Sequence, residues 1–404
     1  MIRRLQGFII AGVLVVAAFS TGEQFLFYLL YLGILVLGGS YVAVRLGLTD
    51  LEAGYAVSQL SGHVGDQMRI TYTLRNGSRI PKPWLEVHNP TTLPGSLPGR
   101  AISLGGRSER SWLVRAPLTR RGHFRIEPLH IRTGDPFGFF EASATVGQGV
   151  SVIVYPKLEP LPAWRLPAAS LEGSHASPER TLQTTPLVST VRPYAPGDSM
   201  NRIHWRMTAR HGEIQVKEFE LEQTADAWIV LDLQRGIQAG RGEGSTTEVA
   251  IQAAASIAHK AIGENRAVGM TVNASRIAHL PPDRGGRQHL KIMQLLAAVD
   301  ADGSAPLLET LIATVGRLKR GMTAVIITAS LDPDWIRALA ALRARGVGCV
   351  VVTLDPSAFE PPAEGPEADV AAKRVRALRH ALAEYELPYH VVTPDRPLGE
   401  ILAG

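Results

Sequence analysis

No charged side chain lies between Phe25 and Val44. A helix needs about 20 consecutive apolar residues to cross the hydrocarbon core of a bilayer, and this run has that length. A shorter apolar run, Leu5–Ser20, precedes it across the polar turn Thr21-Gly22-Glu23-Gln24, and it would span only with local thinning or help from a neighbour. A turn this short leaves the two segments one arrangement, a transmembrane helical hairpin over residues 1–47, with helices at 5–21 and 25–44. Arg3 and Arg4 precede the first segment and Arg45 follows the second, while the turn has neither Lys nor Arg. The positive-inside rule then puts both ends in the cytoplasm, with everything after residue 45. The expectation is a two-pass protein of the inner or plasma membrane, with the lipid bilayer as its first partner. Tyr28, Tyr31 and Tyr41 supply interface anchors. The rival reading is a signal peptide cleaved after Ala18-Phe19-Ser20, but it leaves the second apolar run unexplained.

Charge is concentrated in the rest of the 404 residues. The whole chain carries 42 basic and 37 acidic side chains, a net +5, with 45% apolar residues, which excludes wholesale disorder. Outside the hairpin the balance is too even to argue for nucleic acid as a partner. One cysteine, Cys349, excludes an intramolecular disulfide framework and fits a core position.

Residues 48–156 carry strand signals. "QMRITYTLRNGSRIPKPWLEVHN" alternates apolar and polar residues around Asn76-Gly77, which reads as a hairpin. Gly and Pro punctuate at short intervals and no helical period is sustained, so a sandwich-like antiparallel domain is expected. Seven arginines between Arg100 and Arg125 face one acid, Glu109; they read as a solvated strand face or, alternatively, as a contact for anionic lipid. Asp135-Pro136-Phe137-Gly138 is turn chemistry. A Pro- and Ser-bearing linker follows at 157–190.

Residues 191–224 form a charged motif, "VRPYAPGDSMNRIHWRMTARHGEIQVKEFELEQT". Five basic residues between Arg192 and Lys217 give way to four acids between Glu218 and Asp226. Asp198 precedes a short helix over "SMNRIHWRMTAR" and can accept from its first amides. Arg192, Arg202 and Arg206 can pair with Asp198 or with the acidic run. The motif residues Arg192, Tyr194, Gly197, Asp198, Arg202, His204, Trp205, Arg206, Arg210 and Glu218 are read as a polar network joining the flanking domains. The alternatives are a hydrolase-like enzyme using His204 with Asp198 as its orienting acid, or an anionic-ligand site in the arginines. No nucleophile elbow and no His-Glu-x-x-His accompanies His204.

From residue 225 to 404 buried-type strands alternate with helices: "AWIVLDL", a helix at Thr246–Gly263, "AVGMTVN", "RIAHLPP", helices near Gln288–Ala298 and Leu307–Arg320, "MTAVIITAS", a helix at Asp334–Arg345, "VGCVVVTLD", a helix at Ala371–Glu386, and "YHVVTP". This order predicts a doubly wound α/β domain with a parallel sheet. Ligands of such sheets bind at the carboxyl ends of the strands, where Asp232 stands.

"RRGHFRIEPLHIRTGDPFGFF" together with "VRPYAPGDSMNRIHWRMTARHGEIQVKEFE" closely resembles the bacterial membrane family of domain of unknown function 58. The resemblance implies a von Willebrand factor A-like C-terminal domain and a MoxR-type AAA+ ATPase as a functional neighbour. It also implies where a Mg²⁺ site would lie, in an Asp-x-Ser-x-Ser loop. Here Asp232 holds the first position, but Gln234 and Gly236 replace both hydroxyls. Mg²⁺ requires near-octahedral oxygen ligation, so neither a metal nor a cofactor is expected. The whole chain therefore reads as a multidomain, membrane-anchored interaction or scaffold protein, not an enzyme, that works with an AAA+ ATPase or another membrane protein.

Overall fold

The computed structural model describes residues 2–166, 188–195, 200, 203–219, 226–360 and 366–403. The chain divides into two compact units, one of residues 1–157 with Met293–Ala298, the other of Leu158–Ile292 with Val299–Gly404.

The first unit opens with two helices, α1 (Ile2–Thr21) and α2 (Gln24–Gly47). Gly22 between them takes a left-handed φ of 71°, a conformation that costs a residue with a Cβ. The Phe19 and Phe27 rings meet edge to face with centroids 5.4 Å apart. Among the described residues, α2 is the helix long and apolar enough to cross a membrane, and nearly all of its apolar stretch is exposed. Its 24 residues extend about 36 Å at the rise of an α-helix.

Ten strands follow: β1 (Leu51–Val57), β2 (Ser61–His63), β3 (Gln67–Asn76), β4 (Lys82–His88), β5 (Arg100–Leu104), β6 (Glu109–Pro117), β7 (Gly122–Ile126), β8 (Leu129–Gly134), β9 (Glu141–Val146) and β10 (Val150–Tyr155). They form three small sheets in the orders β1-β3-β6, β5-β4-β8-β9 and β2-β10-β7. Only the β2–β10 pairing is parallel among those ten strands. Alternation decides which side faces in. Along β3, Met68, Ile70, Tyr72 and Leu74 are buried while Arg69, Thr71 and Arg75 are exposed. The buried set packs on Leu85, Val87, Ile102, Leu104, Leu129 and Ile131 of the β5-β4-β8-β9 sheet, which makes a sandwich core.

The Asn76-Gly77 hairpin does not form. β3 pairs with β1 and β6, and β4 joins the opposite sheet. The buried Asn76 amide donates to the carbonyls of Ile80 (2.9 Å) and Gly105 (2.8 Å) and accepts from Ser78. These bonds organise a crossover instead of a two-residue turn.

The end of α2 is built into this sandwich. Lys82, the first residue of β4, is 1% exposed, and its ammonium donates to the carbonyls of Leu46 (2.9 Å) and Thr49 (2.8 Å). The last carbonyls of a helix lack intrahelical donors and carry the negative end of its dipole, so a cation there is favourable. Burial pulls the Lys82 amine below its ordinary value, against the opposing pull of Asp50. At Gly47 a Cβ would lie 2.9 Å from Thr133 Cγ2, so only glycine allows the helix this close to β8.

The arginines do not form one belt. Because β1 leaves α2 at Leu51, its register places Asn76 and Glu109 at the helix end of the sandwich, and Pro117 lies roughly 26 Å further along β6. Arg107 and Arg110 sit at the near end and Arg115 toward the far one. Arg100 lies over the Trp112 ring at 5.6 Å, and Arg125 pairs with Glu127 at 3.2 Å.

The second unit begins with an irregular strap in place of the front of the expected linker. Leu161, Trp164 and Leu166 are buried. The Glu159 amide donates to Ser256 Oγ (2.9 Å), and its carboxylate accepts from Gln252 Nε2 (3.1 Å) and the Gly399 amide (2.8 Å). A two-stranded ribbon comes next, β11 (Val188–Pro193) and β12 (Gln215–Phe219), with α3 (Trp205–His211) between its strands.

The α/β body runs β13 (Ala227–Asp232), α4 (Thr246–Gly263), β14 (Val268–Asn273), β15 (Ile277–Asp283), α5 (Gly285–Ala298), α6 (Leu307–Val315), β16 (Thr323–Thr328), α7 (Ile336–Ala344), β17 (Gly348–Leu354), α8 (Pro366–Glu384), β18 (Tyr389–Val392) and α9 (Leu398–Ile401). The sheet order is β15-β14-β13-β16-β17-β18. β15 is an antiparallel edge, a departure from the all-parallel expectation. It follows β14 after a three-residue connection, too short for the crossover that a parallel neighbour requires. Alternate residues Trp228, Val230, Ala324, Ile326, Cys349 and Val351 pack against α6, α7 and α8, and α4 packs against β13, β14 and β16. Cys349 and Met270 are core residues. Burial pushes the Cys349 thiol up to about 12, with Arg343 pulling weakly the other way.

Candidate functional site

Two places gather the residues that the sequence singled out. The first is the ribbon of β11 and β12 with α3. The strands pair antiparallel with Arg192 opposite Val216 and Pro193 opposite Gln215. The His204 amide donates to Gln215 O (2.7 Å), and the Tyr194 amide to Ile214 O (2.9 Å), which ties the loop to the strand. Ile203 and Val216 form a small buried pair.

Helix α3 starts at Trp205, and its N-cap is His204, whose Nδ1 accepts from the Met207 amide at 3.2 Å. The helix therefore begins later than the expected start near Met200, and the capping role expected of Asp198 falls outside the described residues. The accepting Nδ1 leaves Nε2 with the proton in the neutral ring. Gly212 ends α3 in a left-handed conformation (φ 72°), its amide donating to Thr208 O. Thr208 also accepts from the Gln215 amide at 3.0 Å, so one hydroxyl joins helix and strand.

Asp226, the last acid of the run, pairs with Arg284 at 3.2 Å, whereas Gly197, Asp198 and Arg202 lie outside the described residues, as do the side chains of Glu218, Glu220 and Glu222. The expected pairing of the arginines with those acids falls there too. Arg192 donates to Pro193 O at 3.2 Å. Arg206 and Arg210 are exposed. Trp205, a large apolar ring at the start of α3, is 68% exposed, and Met200, Ile214 and Tyr194 also reach solvent.

The second place is the carboxyl edge of the six-stranded sheet. In domain order the strands run 3-2-1-4-5-6, so the topological switch point falls between β13 and β16, where doubly wound sheets bind ligands. Asp232 ends β13 there, fully buried. Its Oδ2 accepts from Thr328 Oγ1 at the end of β16 (2.7 Å), and its Oδ1 accepts from Asn273 Nδ2 at the end of β14 (2.9 Å) and from the Gln234 amide (3.2 Å). Burial raises the carboxyl above its ordinary value, and these three donors only partly offset it. Gln238 donates to the carbonyls of Asp232 and Gln234, and its Oε1 accepts from Thr246 Oγ1 at 2.7 Å. Gly236 lies in an exposed turn and brings no ligand atom.

The donor set does not fit Mg²⁺. Both Asp232 oxygens are taken by protein hydrogens, and among the described residues no three His, Cys, Asp or Glu side chains gather as a metal group. The arrangement instead clamps the ends of three adjacent strands together. Asn273 and Thr328 were not singled out from sequence; the end positions of "AVGMTVN" and "AVIIT" were the available signal, once strand order is known.

The family described as protein of unknown function DUF58 matches residues 190–374, from the ribbon through most of the α/β body. An uncharacterized protein of Bacillus subtilis (strain 168), YeaD, is 24% identical over 81% of this chain and 82% of its own length. An uncharacterized protein of Mycobacterium tuberculosis, Rv1480, is 31% identical over 43% of this chain and 56% of its own length. Among solved structures, the CARDB domain of a Pyrococcus furiosus protein is 16% identical with a TM-score of 0.20, covering 26% of this chain and 92% of that domain.

Proposed function

We propose that this chain is a membrane-anchored scaffold whose soluble domains face the cytoplasm and bind a partner protein, and that the partner is a MoxR-type AAA+ ATPase acting in envelope-associated assembly. The observation that carries the reading is Trp205, held 68% exposed on the ribbon. A tryptophan costs free energy in water and is enriched among the residues that dominate protein interfaces. Arg206 and Arg210, exposed on the same short helix, add charge beside the apolar ring.

The anchor is a two-pass hairpin of α1 and α2, with Arg45 on the cytoplasmic side. The α/β body is von Willebrand factor A-like: its 3-2-1-4-5-6 order with an antiparallel third strand supports that reading. It is a metal-free member of that fold, because the Asp232 clasp replaces the ligand set. Catalysis by His204 is disfavoured, since Nδ1, the nitrogen of the neutral ring that could accept a proton from a nucleophile, already caps α3.

Photo-crosslinking in native membranes, with the reactive group at Trp205 or Arg210, tests this directly. Recovery of an AAA+ ATPase, lost on Trp205→Ala with the chain still folded, is the expected result. Recovery of no partner protein from either position would sink the proposal.

A further inference from the structure

We propose that the turn joining β8 to β9, Asp135–Phe140, is a second membrane contact, in which Phe137 and Phe139 enter the interfacial layer of the bilayer that α2 crosses. The inference rests on α2 being a membrane span.

Three phenylalanines in four residues are foreign to a solvated turn, where polar residues are the rule. The turn is nonetheless rigid. Asp135 is buried, and its carboxylate accepts from the amides of Phe137 (2.9 Å) and Phe140 (2.6 Å), while the Gly138 amide donates to Asp135 O (3.1 Å) and the Asp135 amide to Phe140 O (3.2 Å). Gly138 takes the left-handed φ of 74° that the reversal needs. The backbone polar groups of the tip are thus partly satisfied internally, which lowers the cost of placing it in a less polar layer.

Its position gives the turn its occupant. Phe140 packs edge to face on Tyr41 of α2, with centroids 5.6 Å apart. Ser40, one residue earlier on α2, is buried. Tyr41 lies three residues inside the end of the apolar run at Val44, about 4.5 Å along the helix axis. Aromatic rings collect at that depth, and Arg45 reaches back along the helix toward the span, its Nε donating to the Tyr41 hydroxyl (3.2 Å), which places a guanidinium and a phenol together at the interfacial layer. The turn therefore sits beside the last part of the span, not below it. Phe137 is 62% exposed and Phe139 38%, and their rings tilt against each other at 6.0 Å. Asp135 is the one ionisable residue between Thr133 and Phe140, and it is buried, so the tip brings no exposed charge into the interface.

The test uses the full chain in phosphatidylethanolamine–phosphatidylglycerol vesicles. A polarity-sensitive fluorophore is attached at Phe137→Cys or Phe139→Cys, and nitroxide-bearing lipids carry the quencher near the headgroup or at mid-chain. The native Cys349 is buried and leaves the unsubstituted chain as an unlabelled background. Leu60→Cys is the control for exposure alone, because Leu60 is an exposed apolar residue beyond the far end of β1. Leu35→Cys, on the exposed surface of α2, reports the span itself. The expected result is a blue-shifted label at 137 and 139, quenched several-fold more by shallow nitroxide than the label at Leu60, with the label at Leu35 quenched by mid-chain nitroxide. Quenching at 137 and 139 no stronger than at Leu60, while Leu35 is quenched, overturns the turn's insertion and leaves the span standing; that outcome includes the case where a second copy or another protein covers the two rings. No quenching at Leu35 overturns both.

Discussion

Asp232 and His204 were both candidates for chemistry, and each is occupied by structural work. Asp232 shows what burial does to such a residue. Its three donors, Thr328, Asn273 and the Gln234 amide, are all neutral, so desolvation prevails and the folded chain keeps the proton at a pH where an unfolded chain has released it. The resulting contribution to stability is complete below the ordinary carboxyl value of about 3.9, and it is lost as pH rises through the higher folded value. Asp232→Asn keeps an acceptor for Asn273 and the Gln234 amide and cannot ionise. Denaturant melts across that window should show a flatter pH dependence for Asp232→Asn than for the parent chain. Asp232→Ala leaves buried donors unpaired and should lose about 2–3 kcal/mol at any pH. Millimolar Mg²⁺ should not shift the melt of the parent chain, whereas a metal site would raise it by mass action. The sequence identified Asp232 as an acid at the end of a strand but not its partners. Asn273 and Thr328 lie far from it in the chain, and only the strand order 2-1-4 brings their side chains to one edge. At His204 the residue type was legible, but its task was not, because the start of α3 decides whether the ring caps a helix or faces a substrate.

Among the elements, the helices and strands of the α/β body were the most legible. Long apolar strands and well-marked caps leave few alternatives, and α4 begins at Thr246 after Ser245, whose hydroxyl accepts from the Glu248 amide. The sandwich was less so. Alternation reveals that β3 is half-buried, but not which strand it pairs with, and the Asn76 side chain redirected a turn that otherwise looks like a hairpin. The junction of α2 with β4 had no sequence signal at all, since a lysine at the start of a strand reads as an exposed charge. Lys82→Met keeps the bulk and removes the donors to Leu46 and Thr49. The end of α2 should then loosen, with a loss of about 1–3 kcal/mol and faster proteolysis around Leu48–Asp50. The strap makes a parallel case: Trp164→Ala empties a buried site in the second unit and should cost about 3–5 kcal/mol in a melt of that unit.

For the whole molecule, the clearest expectation concerns where it resides. A chain begun at Leu48 should leave the membrane fraction on washing, while the full chain stays until detergent is added. A reporter at the C terminus should be active only if it works in the cytoplasm. Activity of a reporter that requires export would reverse the orientation drawn from Arg3, Arg4 and Arg45. The join between α2 and the sandwich has a mechanical meaning beyond anchoring. Gly47 lies against Thr133 and Lys82 closes the helix end, so no free hinge separates α2 from the sheets. A span that is long for its bilayer accommodates by leaning. The sandwich must then lean through the same angle, as a mast carries its crow's nest. Bilayers of different thickness would thus present the sandwich at different inclinations, measurable by oriented-sample infrared dichroism of its strands. A constant strand angle across thin and thick bilayers would mean that the junction bends after all.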